Sequence, residues 1–461
     1  MLSHTETFAN HVANGKFEDL PSHVVSYAKR CIMDLVSCGL GGRKTRDADL
    51  LIATMKEIGS VPEATVFGDG TKLSFIHAAQ VNRLLANILD YDDAYIKVGH
   101  LTVVVFPVAL ALGERLHSSG KEIISAVVQG YEAIVRIRDA LDPSREAYST
   151  TFEKPDCGTP FGVTVVAGKL LGLNGEQMAD ALGLTGFARA TRVTYPDRKK
   201  RGMPPWMKVT CGDSFIPGIH SAFLAKNGCR GDRQVLDGGR GYELIVGSDR
   251  YDPSKLTRDL GKQKYGVLGN GFKFYPACRY TSSAIDASVA LVSENRINAD
   301  DVDRIIVKGR KHLVDHFQIY EPDNIIQAEF SIPYVVTMAL MRQTRANWYS
   351  DETIKNPAFR AFQHKVTIQE DPEASEKFLE SYTACATVEI ITKSGIHFEK
   401  HVDHPKGDPA NPFTEQDHID KLTWMATHLG MKQSQIDELL RTLNRLEELD
   451  DISELTRLLV P

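Results

Sequence analysis

Residues 75–112 read FIHAAQVNRLLANILDYDDAYIKVGHLTVVVFPVALAL. Apolar side chains recur at helical spacing from Phe75 to Leu89 and again from Leu101 to Leu112, so the stretch predicts two apolar helices. Between them lie Asp90, Asp92, Asp93 and His100, which puts three carboxylates and a histidine on one connecting loop. Rigid helices that present a polar loop are a common way to build a site. Asp also serves as a helix cap, so spacing alone leaves a purely structural role open. The second helix is shorter than the ~18 residues a membrane span needs and is interrupted by Pro107, which predicts a buried helix.

Outward from this stretch, the first ~260 residues carry mainly helical signals. Leu20 to Leu40 shows helical spacing that is expected to end at Gly41-Gly42, and Lys121 to Leu141 repeats it around Ile123, Ile124, Val127, Val128, Tyr131, Ile134 and Val135. Asn174 with Gln177 three residues on marks another helix start. From about Tyr265 the texture changes to short β-branched runs at Arg304–Lys308, Lys365–Gln369, Thr387–Thr392 and Ile396–Val402. Lys393-Ser394-Gly395 is expected to make the tight turn between the last two. After residues 404–409 helices return, with capping spacings at Thr414/Asp417 and Ser434/Asp437 and a core-packing stripe of Leu439, Leu440, Leu443 and Leu446. The expected fold is mainly α. Residues 1–265 form a large helical domain completed by 408–461, and 266–407 form an inserted α/β lid.

Composition narrows the function classes. At 461 residues, 42% hydrophobic and 25% charged, the chain is long enough for two or more domains. A net charge of −6 argues against nucleic acid as a partner. The N-terminus lacks a basic stretch followed by an apolar one, so the cytoplasm is the default compartment and no membrane association is expected. The seven cysteines are scattered with no C-x-x-C pair and read as reduced thiols. His312 and His316 are four apart but lack the Glu of H-E-x-x-H, and no P-loop, G-x-S-x-G or dinucleotide fingerprint stands in the right context. Neither a metal nor a cofactor is expected.

Two further clusters could serve a small anionic ligand. Arg198, Lys199, Lys200, Arg201 and Lys208 place five cations around a Gly/Pro-rich loop; such runs are commonly solvated, but Lys208 leads into the apolar helix Phe215–Leu224 and is expected to face inward. Lys273 and Arg279 stand among aromatics in GFKFYPACRY, residues 271–280, just before a helix start at Thr281 or Ser282, a setting suited to an anionic group. Aromatic packing at a domain junction is the alternative.

In this order the clusters resemble the signature blocks of the MmgE/PrpD family, which includes 2-methylcitrate dehydratase, cis-aconitate decarboxylase and iminodisuccinate epimerase. AAQVNRLLANILDYDDA (78–94) is similar to the block A-x-x-N-x-x-x-x-H-x-x-D-x-D-D, Lys273–Arg279 to K-x-Y-P-x-C-R, and the resemblance continues through Gly130-Tyr131-Glu132, the glycine-rich helix ending 168–173, and QAEFSIPY at 327–334. It implies a helical domain with an α/β lid, a homodimer joined through helical domains, and a positively charged cleft that takes a small polycarboxylate. Residue by residue it assigns catalytic roles to Asp90, His100, Lys208 and Lys273 and matches Tyr320 to a lid tyrosine; Asp93, Glu153, Arg279 and Tyr320 are the expected substrate contacts. Departures are Asn87 for the first block's histidine, Ala94 for a threonine, Leu101 for a proline, and Glu153 and Cys278 where histidines are usual. The last two argue against simple cis-aconitate decarboxylation.

These readings favour a hydro-lyase of a citrate-like or alkylcitrate-like acid. His100, oriented by Asp90, would move a proton at a carbon next to a carboxylate while Lys208, Lys273 and Arg279 hold the carboxylates. An epimerase of an imino- or amino-dicarboxylate is the alternative. A non-catalytic binder of an anionic metabolite is the third.

Overall fold

The computed structural model describes residues 2–59, 61–144, 158–188, 207–210, 215–239, 242–262 and 264–461. Glu153 and the run Arg198–Arg201 lie outside the described residues. The chain is mainly α with one small mixed sheet, as the sequence texture predicts.

Helix α1 (His4–Asn14) starts at a Ser3/Glu6 capping box, in which each side chain satisfies the other's free backbone N–H. Helix α2 (Ser22–Gly42) ends at its double glycine, as the spacing predicts. A Cβ on Gly42 would sit 1.9 Å from the Leu85 carbonyl oxygen, so the glycine lets α2 approach α4 (Phe75–Asn87) closely. Between them come α3 (Arg46–Ile58) and a short ribbon, β1 (Ala64–Thr65) with β2 (Lys72–Leu73), which sequence texture did not signal. The two helices of the opening stretch form as expected, the second being α5 (Thr102–Leu116) with Pro107 inside it. Next come α6 (Gly120–Leu141), α7 (Thr159–Leu170), α8 (Gly175–Phe187) with its Asn174/Gln177 box, α9 (Met207–Thr210) and α10 (Phe215–Lys226). Helix α7 packs against α5, α6, α8 and α10. None of the described helices is long and apolar enough to cross a membrane.

The α/β part contains α11 (Ser282–Asn295), β3 (Val302–Gly309), α12 (Ile325–Glu329), α13 (Ile332–Leu340), β4 (Val366–Glu370), α14 (Pro372–Ser381), β5 (Ala386–Thr392) and β6 (His397–Val402). The sheet runs β4-β3-β5-β6, with β3 and β4 parallel and the other pairs antiparallel. Gly395, at φ +83°, takes the left-handed turn between β5 and β6. One face of the sheet is covered by α11, which packs on β5, β6 and α13.

Helix α15 (Glu415–Leu429) carries the expected Thr414/Asp417 box and packs against α2. Helix α16 (Gln433–Asn444) begins one residue before Ser434, with Lys432 at its cap and no side-chain bond there. The Ser434/Asp437 spacing therefore falls inside the helix and does not mark its start. Chain entry to the α/β part and exit from it meet at the polar loop of the opening stretch. Gly271 exchanges two backbone hydrogen bonds with Ala94, at 2.8 and 3.1 Å, and the Phe272 N–H donates to the Gly407 carbonyl at 2.7 Å. Gly407 has φ +89°, and a Cβ there would lie 2.2 Å from the Phe272 carbonyl oxygen. Only glycine fits that crossing.

Candidate functional site

Helix α4 ends at Asn87, and the chain turns sharply at Asp90, whose N–H donates to the Asn87 carbonyl at 2.9 Å. Asp90 has φ +46°, a left-handed conformation that costs any residue but glycine some energy and that Asp tolerates better than most. The turn points its carboxylate at two ammonium groups from distant segments. Lys208 of α9 reaches Oδ1 at 2.5 Å, and Lys273, on the entry strand of the α/β part, reaches Oδ2 at 3.2 Å. Lys208 also donates to the Asn87 carbonyl at 2.8 Å, and Lys273 to the Asp90 carbonyl at 2.7 Å. All three side chains are buried. Burial works against the charge on Asp90, yet Lys208 and Lys273 outweigh it and hold the carboxyl well below the usual range. Burial likewise penalises the Lys208 ammonium, and the Asp90 carboxylate, with Asp92 behind it, keeps it protonated.

His100 stands at the mouth of this cluster, its side chain 33% exposed. Its Nε2 lies 3.7 Å from Asp90, whereas its Nδ1 lies 2.9 Å from Asp92 Oδ2. The orienting carboxylate is therefore Asp92 rather than Asp90, whose oxygens are committed to the lysines. Asp92 is steadied in turn by the Asn87 amide, at 3.0 and 3.2 Å. The asparagine that departs from the family block thus supports the histidine indirectly, and an Asn87–Asp92–His100 relay fixes which ring nitrogen faces outward. Burial opposes the Asp92 charge, but His100 and the lysines still pull its pKa down.

The remaining expected residues are placed differently. Asp93 is fully buried and accepts from the Thr102 N–H at 3.3 Å and the Tyr131 hydroxyl at 3.2 Å. It secures the start of α5 instead of facing His100. Arg279 is buried and binds Asp408 at 2.7 Å, so its guanidinium latches the entry strand to the exit strand. The Tyr320 hydroxyl donates to the Val366 carbonyl at 2.7 Å, and its ring stacks on His364, which occupies it within the α/β part. Cys278 is buried, and its N–H donates to the Glu329 carbonyl at 3.0 Å.

Two buried charged groups at this cluster escaped sequence reasoning. Glu329 closes α12 and brings a fully buried carboxyl to 3.6 Å from Lys208. It lies within the QAEFSIPY block, so the signal was present but did not single out the acid. Lys421 of α15 is buried and reaches Asp34 at 2.6 Å, the Tyr91 carbonyl at 2.7 Å and the Lys273 carbonyl at 3.3 Å, clamping both halves of the site from beneath. In sequence it is one more lysine on an amphipathic helix.

The ligand atoms of Asp90, Asp92 and His100 lie within 4.8 Å of one another, close enough to share a metal ion. A divalent ion would have to displace two ammonium groups from Asp90, so this donor set suits cation-balanced acid/base chemistry better than ligation. A cavity of about 530 Å³ lies between Tyr275, Arg345, Trp348 and Trp424, and no residue of the Asp90 cluster lines it. The site is assigned to the cluster because a partly exposed histidine, buried carboxylates and buried cations converge there.

The MmgE/PrpD N-terminal domain matches residues 6–253 and the MmgE/PrpD C-terminal domain residues 275–445. Cis-aconitate decarboxylase of Mus musculus is 27% identical over 481 aligned residues, covering 100% of this chain and 94% of the relative. The Homo sapiens enzyme of that name is 26% identical, with 100% and 95% covered. The mitochondrial 2-methylcitrate dehydratase of Yarrowia lipolytica is 23% identical over 410 residues, covering 82% of this chain and 75% of the relative.

Proposed function

This chain belongs to the MmgE/PrpD family, and on that premise we propose that it is a lyase, specifically a hydro-lyase, acting on a citrate-like or alkylcitrate-like polycarboxylate. The observation that carries the reading is the meeting of His100 with Lys208 and Lys273 around Asp90. A proton on carbon next to a carboxylate is weakly acidic, and its removal pushes charge onto that carboxylate. The buried ammonium groups offset that charge, while the outward Nε2 of His100 takes the proton. The C–H electrons then form the C=C bond, the neighbouring C–O bond breaks, and the departing hydroxide takes up the proton that His100 removed and leaves as water. Arg279 and Tyr320 do not enter this scheme, because their polar groups are committed elsewhere.

Decarboxylation of an unsaturated tricarboxylate is the second reading. Its support is that the decarboxylase relatives align over the whole chain. The test is incubation with citrate, methylcitrate and the aconitate isomers in deuterated water. A hydro-lyase produces an absorbing C=C bond with loss of water, a decarboxylase releases carbon dioxide, and an epimerase exchanges its proton and keeps every other atom. His100→Ala should lower turnover by about 10²–10⁴-fold and leave the melting curve nearly unchanged. Wild-type turnover in that variant would remove His100 from the mechanism. The same reading makes the chain a homodimer joined through its helical part, which sedimentation equilibrium would verify.

A further inference from the structure

Neither carboxyl oxygen of Glu329 has a hydrogen-bond partner among the described residues, and the side chain is fully buried. Its backbone is fixed, since the carbonyl accepts from the Cys278 N–H and Ser331, two residues on, caps α13. The side chain is therefore held in place without being satisfied. The nearest cation, Lys208, is 3.6 Å away and already spends two of its three hydrogens on Asp90 and the Asn87 carbonyl. An ionised carboxylate left in that position would be strongly disfavoured. Two carboxyls that share one ammonium do not both ionise cheaply, and Asp90, which holds two lysines, wins the charge.

The groups facing Glu329 are Lys208 and Asp90, then Lys273 and Asp92, with Tyr349 also within electrostatic reach. Burial is the largest influence and raises its pKa well above the usual carboxyl range, against the pull of Lys208. The two aspartates already balance the two lysines, so an ionised Glu329 would leave this wall with net negative charge. Such a wall repels polycarboxylates.

We propose that Glu329 is a further functional residue of this cluster: a neutral carboxylic acid whose O–H donates to a carboxylate oxygen of the ligand, and whose proton must be present for a polycarboxylate to bind beside Lys208. The assignment rests on the polycarboxylate reading and adds to it a group that selects for anionic ligands. The O–H has no protein acceptor among the described residues, which leaves it available to an arriving anion. Glu329 comes from the α/β part and Lys208 from the helical part, so the ligand carboxylate would bridge the two.

The probe is tricarballylate, a saturated tricarboxylate with no hydroxyl to lose, titrated by calorimetry over the neutral to alkaline range. For the wild type the affinity should fall about tenfold per pH unit once Glu329 ionises. Glu329→Gln should bind within several-fold of wild type at neutral pH and lose that slope. In the infrared, the wild-type protein at neutral pH should show a protonated-carboxyl stretch that Glu329→Gln lacks. Superimposable pH profiles for the two proteins would overturn the proposal and leave the polycarboxylate reading intact. Failure of the wild type to bind tricarballylate at any pH would instead remove that reading, and the role of Glu329 with it. If Glu329→Gln does not fold, Glu329→Asp takes its place in the titration, and a wild type with no protonated-carboxyl stretch at neutral pH would still overturn the neutral acid.

Discussion

Two regions of this molecule gather the same kinds of side chain, and the chemistry they support differs. Around Asp90 stand Asp92, His100, Lys208 and Lys273; at the end of the β5–β6 hairpin stand Cys385, His401, Asp403 and Lys377. In the first, Asp90, Lys208 and Lys273 are each at most 3% exposed, and every charge is committed to a specific partner. In the second, Lys377 and Asp403 are each 40% exposed, and water competes for both. Burial turns the first into a preorganised electrostatic device, and solvent reduces the second to an ordinary surface ion pair.

The sharpest way to break this contrast is Asp90→Ala, which leaves Lys208 and Lys273 facing each other without their shared counter-ion. Stability should fall by about 3–5 kcal/mol, read as a lower urea midpoint, and a wild-type midpoint would show that the cluster carries no such strain. Acid probes the same groups without mutation. Asp90 and Asp92 are held below their ordinary pKa, so their contribution is fully present above the unfolded value of about 3.9 and is lost as pH falls toward the lower folded values. Each group can add up to about 1.4 kcal/mol per pH unit in that window. Thermal melts of wild type should therefore steepen with acid below about pH 4, and a flat profile there would contradict the depressed values.

Asn87→Ala removes the amide that steadies buried Asp92. A loss of about 1–3 kcal/mol is expected, together with a fall in kcat at nearly constant KM because His100 is less well oriented. An unchanged kcat would mean that Asp92 needs no such support. In the hairpin, a double-mutant cycle on Lys377 and Asp403 should give a coupling below about 1 kcal/mol that disappears in high salt. A coupling as large as that of the Asp90 cluster would collapse the distinction.

Much of the fold was legible because periodicity records which faces must leave water. The helices on either side of the polar loop, the four strand-like runs and the Thr414 box all appear where side-chain spacing places them. What misled was local punctuation. Ser434 reads as a cap and lies inside its helix. Gly41-Gly42 does end α2, as its spacing indicates, but the close approach of Gly42 to α4 has no local signal. A glycine or a serine answers to whatever packs against it, and that neighbour lies far away in sequence.

By itself the sequence determined the mainly α architecture with its α/β part, the family, and the segments from which the site is built, because hydrophobic spacing and block motifs are local properties. It also supplied His100, Lys208 and Lys273 as candidates. Only the tertiary structure decided their partners. It gave Asp90 to the lysines and Asp92 to His100, withdrew Asp93, Arg279 and Tyr320 into structural bonds, and brought forward Glu329 and Lys421. The reason is physical: the state of a charged group depends on its burial and on the partners within a few ångströms, and those partners are set by how distant segments pack.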